Sequence, residues 1–342
     1  MTDRLTFDVA AESDIGARSN QQDYFAFDFS SDANAGIAVL SDGMGGYKDG
    51  VAAAKFLVTG VAGELLQDLD TFQENEDQLP QRLSDLTHEG NSRLGDFIRQ
   101  RTSGETIGAT LVSVAISQNH LYWASVGDSP LYLFRNGVLS RLNQDHSMSQ
   151  QIDFMIEAGM ISAEKGRDHP DRSLLTSAIF GKEISKIDVP DTPFVLQEHD
   201  ILLLASDGIN TIGQDAIEDV LRRSMAEDSE VIVDALFAAL DEIGADDQDN
   251  ASLIVIKSKV MVDVVKQPPP TPRLSPEDAA RLVEMVLAQA QSGPDDALLD
   301  TEIPELTITQ TEASNVDETP SATTGITNRP FPRMPTRRIY SR

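Results

Sequence analysis

Residues 36–43 read GIAVLSDG, and residues 201–208 read ILLLASDG. Each stretch is a run of about five mainly apolar residues that ends in Ser-Asp-Gly, and such runs, bounded by turn residues, are typical of buried strands. Glycine allows the backbone to turn sharply and lets a ligand approach its carbonyl group closely. The two stretches therefore predict two buried strands that each deliver one carboxylate, Asp42 or Asp207, to an edge of the core.

Further aspartates lie where other strands are predicted to begin or end, namely Asp23, Asp128 and Asp249. Few basic residues lie among these five carboxylates, so cations are needed to neutralise them where they meet. We therefore expect a multinuclear site for hard divalent metal ions.

The composition limits the classes of function. The chain has 342 residues, of which 40% are hydrophobic, and its formal net charge is -29. So acidic a protein repels phosphate backbones, which argues against a nucleic-acid-binding surface. The charge is interpreted mainly as a solubility feature, with affinity for cations or for a basic partner as the alternative. There is no cysteine, which excludes disulfides, thiolate metal sites and cysteine nucleophiles.

Targeting signals are not visible in the sequence. Met1-Thr2-Asp3-Arg4 lacks the cationic stretch and following apolar stretch of a secretory signal. No apolar run approaches the roughly 18 residues that a membrane span needs. We therefore expect a cytoplasmic protein without membrane contact.

Hydrophobic periodicity predicts an alternation of strand-rich blocks and paired helices. Strands are predicted over residues 5–11, 24–29, 36–42, 109–117, 120–126, 131–135, 138–142, 200–207 and 251–258. Helices are predicted over residues 49–67, 79–101, 147–158, 214–225 and 228–243. Asn136-Gly137 is a strong hairpin signal, whereas the polar residues 162–172 predict a mobile surface segment.

The composition changes near Lys259, where the first domain, residues 1–259, is predicted to end. Residues 260–274 contain Pro268-Pro269-Pro270 and predict a stiff linker. Ser275-Pro276 is a good helix start, and an amphipathic helix is predicted over residues 275–292. Residues 293–342 are polar and rich in Thr, Glu and Pro, which predicts a disordered tail with a basic end.

Seven short motifs, taken together and in order, resemble the metal-dependent protein phosphatases, the protein phosphatase 2C-like or PPM family, in its bacterial type. The resemblance covers about residues 5–258 and leaves out the tail. The motifs are Gly16-Ala17-Arg18-Ser19-Asn20-Gln21-Gln22-Asp23, Asp42-Gly43-Met44-Gly45-Gly46, Gly108-Ala109-Thr110-Leu111, Gly127-Asp128-Ser129, Asp145-His146-Ser147, Ser206-Asp207-Gly208 and Asp249-Asn250.

The resemblance implies an α+β fold: an antiparallel β-sandwich flanked by helices on both faces (α-β-β-α), with metals in a cleft at one end. Strand-rich blocks that alternate with paired helices, rather than with single crossovers, agree with this fold independently. The C-terminal linker, helix and disordered tail would follow the sandwich.

The resemblance also implies roles for the carboxylates of the motifs. Asp42 would bridge two metals, and Asp207 and Asp249 would complete the shell of the first. The carbonyl group of Gly43 would bind the second metal, and Asp23 would lie near it, through water. Oxygen-only ligands suit Mn²⁺ or Mg²⁺. The two bridged ions would ionise a shared water, and the hydroxide would attack phosphorus.

Three further positions follow from the same resemblance. Asp128, together with Asp207, matches a third metal position of bacterial members. Arg18 is expected to bind the substrate phosphate with its planar guanidinium group. Met44 stands where eukaryotic members often carry a histidine proposed to protonate the leaving group, so no general acid is assigned.

The expected function is a metal-dependent serine/threonine protein phosphatase, with Asp42, Asp207 and Asp249 as its catalytic carboxylates. Its partners would be a phosphorylated protein substrate and an opposing bacterial Ser/Thr kinase, and it would act as a monomer. The alternative is a catalytically silent phosphoprotein-binding scaffold of the same fold.

Each candidate residue also has a purely structural interpretation. The aspartates are common turn residues, Asp128 suits a hairpin turn, and Arg18 could form a surface ion pair. His146 is interpreted as a structural polar residue rather than a ligand. The five histidines show no close pair at metal-binding spacing, which disfavours a zinc hydrolase.

Overall fold

The computed structural model describes residues 4–30, 34–45, 49–72, 74–100, 107–167, 169–260 and 339–340. The strands are β1 (Leu5–Asp14), β2 (Asp23–Ser30), β3 (Ala35–Met44), β4 (Gly108–Ala109), β5 (Leu111–Ser117), β6 (His120–Val126), β7 (Leu131–Arg135), β8 (Val138–Arg141), β9 (Phe194–Val195), β10 (Ile201–Ala205), β11 (Ala251–Val260) and β12 (Ile339–Tyr340). The α-helices are α1 (Asp49–Asp68), α2 (Leu79–Arg99), α3 (Ser149–Glu157), α4 (Ala163–Arg167), α5 (Gln214–Ser224) and α6 (Ser229–Ile243), and short 3₁₀ helices lie at Leu69–Thr71, Glu76–Gln78 and Asp207–Thr211.

The strands of the described residues form two antiparallel sheets. The first sheet has the order β12-β1-β11-β10-β7-β8, and the second has the order β2-β3-β5-β6-β9, with β4 paired to β3. β1 pairs with β11 along its whole length, from Leu5 opposite Val260 to Asp14 opposite Ala251. The first and last long strands of the domain are therefore neighbours in one sheet.

The burial of the central strands explains why their sequences are continuous apolar runs. In β3, Ala38 and Leu40 pack between the two sheets, whereas Ile37 and Val39 pack against α1 and α2 on the outer face. In β10, Leu202 and Leu204 point between the sheets, and Ile201 and Leu203 pack against α5 and α6. Both faces of these central strands are buried, so residues 37–40 of β3 and residues 201–204 of β10 are apolar on both faces.

The layers are thus helices, sheet, sheet and helices, which confirms the α-β-β-α sandwich expected from the sequence. α1 and α2 cover the outer face of the second sheet, and α5 and α6 cover the outer face of the first. The Asn136-Gly137 turn joins β7 to β8 with positive φ at both residues, 54° and 82°, as a type I′ hairpin requires.

Several local features differ from the sequence expectations. β1 continues to Asp14, three residues beyond the predicted strand end. Residues 162–172, predicted as a mobile segment, contain α4, which packs its Gly166 closely against Ile156. Arg172 also pairs with Asp153 of α3, at 2.8 Å. These contacts are non-local and leave no periodic signal in so short a segment.

β11 ends at Val260. Val260 belongs to this strand and not to the predicted linker over 260–274. The rest of that linker, the helix over 275–292 and the tail over 293–342 lie outside the described residues, apart from β12. β12 pairs with β1 at Ala10 and Ala11, a contact that the sequence analysis did not predict. Among the described helices, none has the length and apolar character required to cross a bilayer.

Candidate metal centre

Two of the candidate carboxylates are cross-strand neighbours. Asp23 is the first residue of β2, and Asp42 lies directly opposite it near the end of β3. Like charges directly opposite each other destabilise an antiparallel pair. The two carboxylates therefore require either bound protons or bound cations at this end of the second sheet.

A third carboxylate reaches the same place from the other sheet. Asp207 begins the 3₁₀ helix that follows β10, and it lies close enough to Asp42 for an interaction with the Asp42 side chain to lower the pKa of its carboxyl group, against the larger raising effect of burial. Ser206, just before it, donates a hydrogen bond from Oγ to Asp23 Oδ2 at 2.7 Å. The two sheets thus meet at this cluster, and their strand ends hold its members together.

The pKa values of these carboxyl groups are raised, chiefly because burial disfavours the charged form. Burial raises the pKa of Asp23 to about 7, with a further contribution from the negative charges of Asp207 and Asp249. The pKa of Asp42 lies well above its usual range because of burial and then the charge of Asp23. Burial and the charge of Asp249 also raise the pKa of Asp207.

Asp128 lies at the edge of the same cluster. Burial raises its pKa to about 7, and the next largest contribution is the charge of Asp207. Gly127, before it, has φ of +106° and no room for a Cβ, which would lie 2.6 Å from Thr110 Cγ2. Arg141 Nη2 donates to the Asp128 carbonyl oxygen at 2.8 Å. The backbone of this turn is therefore held from two sides.

The loop between β1 and β2 brings Arg18 to the cluster. Gly16 has φ of +58°, and a Cβ there would lie 2.4 Å from the Asp249 carbonyl oxygen, so only glycine allows this approach. Arg18 forms a salt bridge with Asp249 at 2.7 Å, and their side chains are 57% and 41% exposed. Arg18 therefore holds Asp249 at the open side of the cluster and can reach solvent.

Gly43 packs backbone to backbone against the start of α1. A Cβ on Gly43 would lie 2.1 Å from the Gly50 carbonyl oxygen, and one on Gly50 would lie 2.9 Å from the Gly43 carbonyl oxygen. The Gly43 N–H donates to the Gln22 carbonyl oxygen at 3.1 Å. This close packing requires glycine after Asp42 and fixes the backbone beside the carboxylates.

Two buried oxygens in the cluster, Asp23 Oδ1 and Asp207 Oδ1, have no hydrogen-bond partner. An unpartnered buried oxygen costs about 1–3 kcal/mol, so each calls for a ligand. Carboxylate and carbonyl oxygens are the donors that Mn²⁺ and Mg²⁺ prefer, and the residues present fit such ions. Within the described ranges no group of three acidic or histidine side chains is arranged to hold an ion as it stands, since Asp249 is turned to Arg18 and Asp23 Oδ2 to Ser206.

Comparison with known proteins identifies the chain. The sequence profile described as "Protein phosphatase 2C" matches residues 12–250, which include strands β2 to β10 and every carboxylate of the cluster. The chain belongs to the protein phosphatase 2C family. It is a serine/threonine protein phosphatase of this metal-dependent family, as the resemblance of its motifs predicted.

Relatives of this phosphatase have the same activity in their names. The chain is 28% identical over 243 residues to the serine/threonine phosphatase stp of Listeria welshimeri. The aligned region covers 68% of this chain and 88% of that protein. The crystal structure of the Mycobacterium tuberculosis serine/threonine phosphatase PstP/Ppp is 26% identical, with a TM-score of 0.61, and covers 74% of this chain and 98% of that chain.

A further solved structure is the catalytic domain of the serine/threonine phosphatase PstP in complex with two manganese ions. It is 24% identical to this phosphatase, with a TM-score of 0.59, and covers 75% of this chain and 99% of that chain. At this level of identity it shows a shared fold, and the two manganese ions belong to PstP.

Two residues of the motifs, Ser206 and Asn250, form contacts beside the carboxylates that no sequence pattern predicts. Ser206 binds Asp23, as described above. Asn250 is buried; its Oδ1 accepts from the Gln22 N–H at 2.8 Å, and its Nδ2 donates to the Ile15 carbonyl oxygen at 2.8 Å. Their adjacency to Asp207 and Asp249 was the available signal, since residues that flank clustered carboxylates often orient them.

His146 lies outside the set of cluster carboxylates. It is buried, its Nδ1 accepts a hydrogen bond from the Gly127 N–H at 3.2 Å, and burial lowers its pKa. These contacts agree with the structural interpretation of this histidine.

Proposed function

We propose that the carboxylate cluster of this phosphatase holds two divalent cations, Mn²⁺ or Mg²⁺, bridged by Asp42. Asp207 and Asp249 would complete the first cation's shell, the Gly43 carbonyl oxygen would bind the second, and Asp23 would reach it through water. The observation that carries this proposal is the pair of buried, unpartnered oxygens on Asp23 and Asp207. A third position, for a further cation, would lie between Asp128 and Asp207, whose charges act on each other.

The bound cations would lower the pKa of the water they hold, so that hydroxide is available near neutral pH for attack on the phosphorus of phosphoserine or phosphothreonine. The protein's own contribution is to bring the carboxylates together from two sheets before the substrate arrives. Ser206 fixes the rotamer of Asp23 through its 2.7 Å hydrogen bond. The close packing of Gly43 against Gly50 holds the adjacent carbonyl group in place.

Arg18 would bind the phosphate group of the substrate. Its guanidinium group is more than half exposed and is paired with Asp249. An exposed pair of this kind contributes only about 0–1 kcal/mol, so it can be exchanged at little cost. Arg18 would then leave Asp249 and bind the phosphate, and Asp249 would bind a cation. Each of the two residues would exchange its present charged partner for one that binds more strongly.

The wider role follows from the reaction. The substrates would be proteins that carry phosphoserine or phosphothreonine, and a Ser/Thr kinase would have to supply them. We propose that the phosphatase acts as a cytoplasmic monomer and that residues 1–259 carry the activity. Residues 260–342 would be a linker, an amphipathic helix and a tail that hydrolysis does not need.

The proposal is tested with the full-length protein, an aryl phosphate and a phosphothreonine peptide. EDTA is expected to abolish hydrolysis of both, and added Mn²⁺ or Mg²⁺ to restore it. Asp42→Asn is expected to lower kcat at least about a hundredfold while the circular dichroism spectrum and melting temperature remain those of a folded protein.

Asp191→Asn is the matched control, because Asp191 is an exposed aspartate outside the carboxylate cluster; its kcat and metal requirement should equal those of the wild type. Rescue by Zn²⁺ alone would overturn the choice of metal. A folded Asp42→Asn variant with wild-type kcat and two bound Mn²⁺ ions would overturn the bridging role.

A further inference from the structure

Thr110 holds the backbone of Asp42 from both sides. It lies between β4 and β5 and is 1% exposed. Its N–H donates to the Asp42 carbonyl oxygen at 2.9 Å, and its Oγ1 accepts from the Asp42 N–H at 3.0 Å. Both backbone groups of the candidate bridging residue are therefore bound by one threonine.

The same hydroxyl group reaches the turn that carries Asp128. Thr110 Oγ1 lies 2.8 Å from Ser129 Oγ. After the threonine hydroxyl accepts the Asp42 N–H, it keeps its proton and one lone pair, so either hydroxyl can donate this bond. Ser129 directly follows Asp128 and is itself 1% exposed. A single buried hydroxyl thus contacts the Asp42 backbone and the side chain of Ser129, the residue that follows Asp128.

Packing around Thr110 restricts this link further. Ser41 Oγ donates to the Thr110 carbonyl oxygen at 2.6 Å, so the residue before Asp42 is tied to it as well. On the other side, the absence of a Cβ at Gly127 leaves room for the Thr110 methyl group. The threonine has little freedom to move relative to either turn, since protein cores are close-packed.

We propose that Thr110 is a positioning residue of the phosphatase, whose hydroxyl sets the separation of the Asp42 and Asp128 carboxylates for cation binding. The inference rests on the proposed function, in which these carboxylates hold cations. Hydrogen-bonded groups behind the ligands of a metal site fix the ligands' orientation, and their loss typically weakens metal binding about 10–100-fold.

The test compares Thr110→Val, which keeps the shape and removes the hydroxyl, with Thr110→Ser, which keeps the hydroxyl and removes the methyl group. Mn²⁺ binding to the full-length protein is measured by calorimetry and by electron paramagnetic resonance, and kcat and KM are measured with an aryl phosphate. Thr110→Val is expected to weaken Mn²⁺ binding by about 10–100-fold and to lower kcat more than it raises KM at fixed Mn²⁺. Thr110→Ser is expected to bind Mn²⁺ as the wild type does, whatever stability it loses with the methyl group.

Thr87→Val is the matched control. Thr87 is also a fully buried threonine, but its Oγ1 donates to the Leu83 carbonyl oxygen at 2.8 Å inside α2. It should lose thermal stability without a change in Mn²⁺ affinity. If Thr110→Val also keeps wild-type Mn²⁺ affinity, or if Thr110→Ser is impaired as strongly as Thr110→Val, the positioning role is wrong.

If Thr110→Val does not fold, Ser129→Ala decides the question, because it removes the other end of the same hydrogen bond. Its Mn²⁺ affinity is expected to fall, and an unchanged affinity would overturn the proposal. A wild-type protein that binds no Mn²⁺ would instead show that the proposed metal centre is wrong, an outcome distinct from a failure of the Thr110 proposal.

Discussion

Cation binding to this phosphatase should release protons, and the number released should depend on pH. The pKa values of Asp23 and Asp128 are raised to about 7 in the metal-free cluster. Carboxyl groups must lose their protons before they ligate a cation. Each proton that sits on the cluster at a given pH is therefore displaced when Mn²⁺ binds.

The magnitude follows from the two pKa values. At about pH 6.5 each carboxyl group with a pKa of about 7 is roughly three-quarters protonated, so the pair releases about 1.5 protons; at about pH 8.5 it releases about 0.1. The pKa of Asp42 is also raised, by burial and then by the charge of Asp23, so its carboxyl group is a further source of released protons. The difference between the two pH values is therefore about 1.4 protons from Asp23 and Asp128 together.

Isothermal titration calorimetry measures this number directly, when Mn²⁺ is titrated into EDTA-treated protein in buffers that differ in ionisation enthalpy. Asp23→Asn should remove about 0.8 of a proton from the release at about pH 6.5, whereas Asp191→Asn should remove none. A release that stays constant between about pH 6.5 and 8.5 would refute the reasoning, since the carboxyl groups would then be ionised before the metal arrives.

Three other expectations concern the same molecule. Arg18→Ala should raise KM for a phosphothreonine peptide by about tenfold, with little change in kcat, because one charge-assisted contact of about 1.5 kcal/mol is lost. An unchanged KM in steady-state kinetics would show that Arg18 does not bind the phosphate. The metal-free protein should lose thermal stability as the pH rises from about 4 to about 7. The pKa of Asp23 is about 7 in the folded state against an ordinary value of 3.8, so this carboxyl group stabilises the fold only while it is protonated. Calorimetry should show that Mn²⁺ reverses the loss and that Asp23→Asn reduces it; a melting temperature that does not change with pH would contradict the prediction. A chain that ends after Val260 should fold and keep wild-type turnover of an aryl phosphate; insoluble or inactive protein would show that later residues belong to the catalytic domain.

Much of the fold could be predicted because the central strands are apolar on both faces. The run over 36–42 predicted β3 within two residues of its observed ends, and paired amphipathic patterns located α5 and α6 to within one residue. These elements owe their signal to contacts that repeat along the element, which periodicity records. β9 has two residues and α4 has five, too few for any period to be visible.

A similar part of the candidate site could be predicted from the sequence. The Asp-Gly pairs at Asp42 and Asp207 indicated two carboxylates at strand ends, and in the structure each of them shifts the pKa of the other. The salt bridge between Arg18 and Asp249 joins residues more than two hundred positions apart, and no local pattern encodes such a pair. For Thr110, the motif was visible, but its contact with Ser129 depends on how two hairpins pack.

The pairing of β1 with β11 has a consequence for biosynthesis. Arg18 follows β1 and Asp249 precedes β11, so the carboxylate cluster cannot be completed until residue 260 has left the ribosome. A nascent chain that already contains Asp23, Asp42 and Asp128 would still lack the segments that carry Asp207 and Asp249, beside β10 and β11. The order of translation therefore places β11, the long partner of β1, after every carboxylate of the cluster.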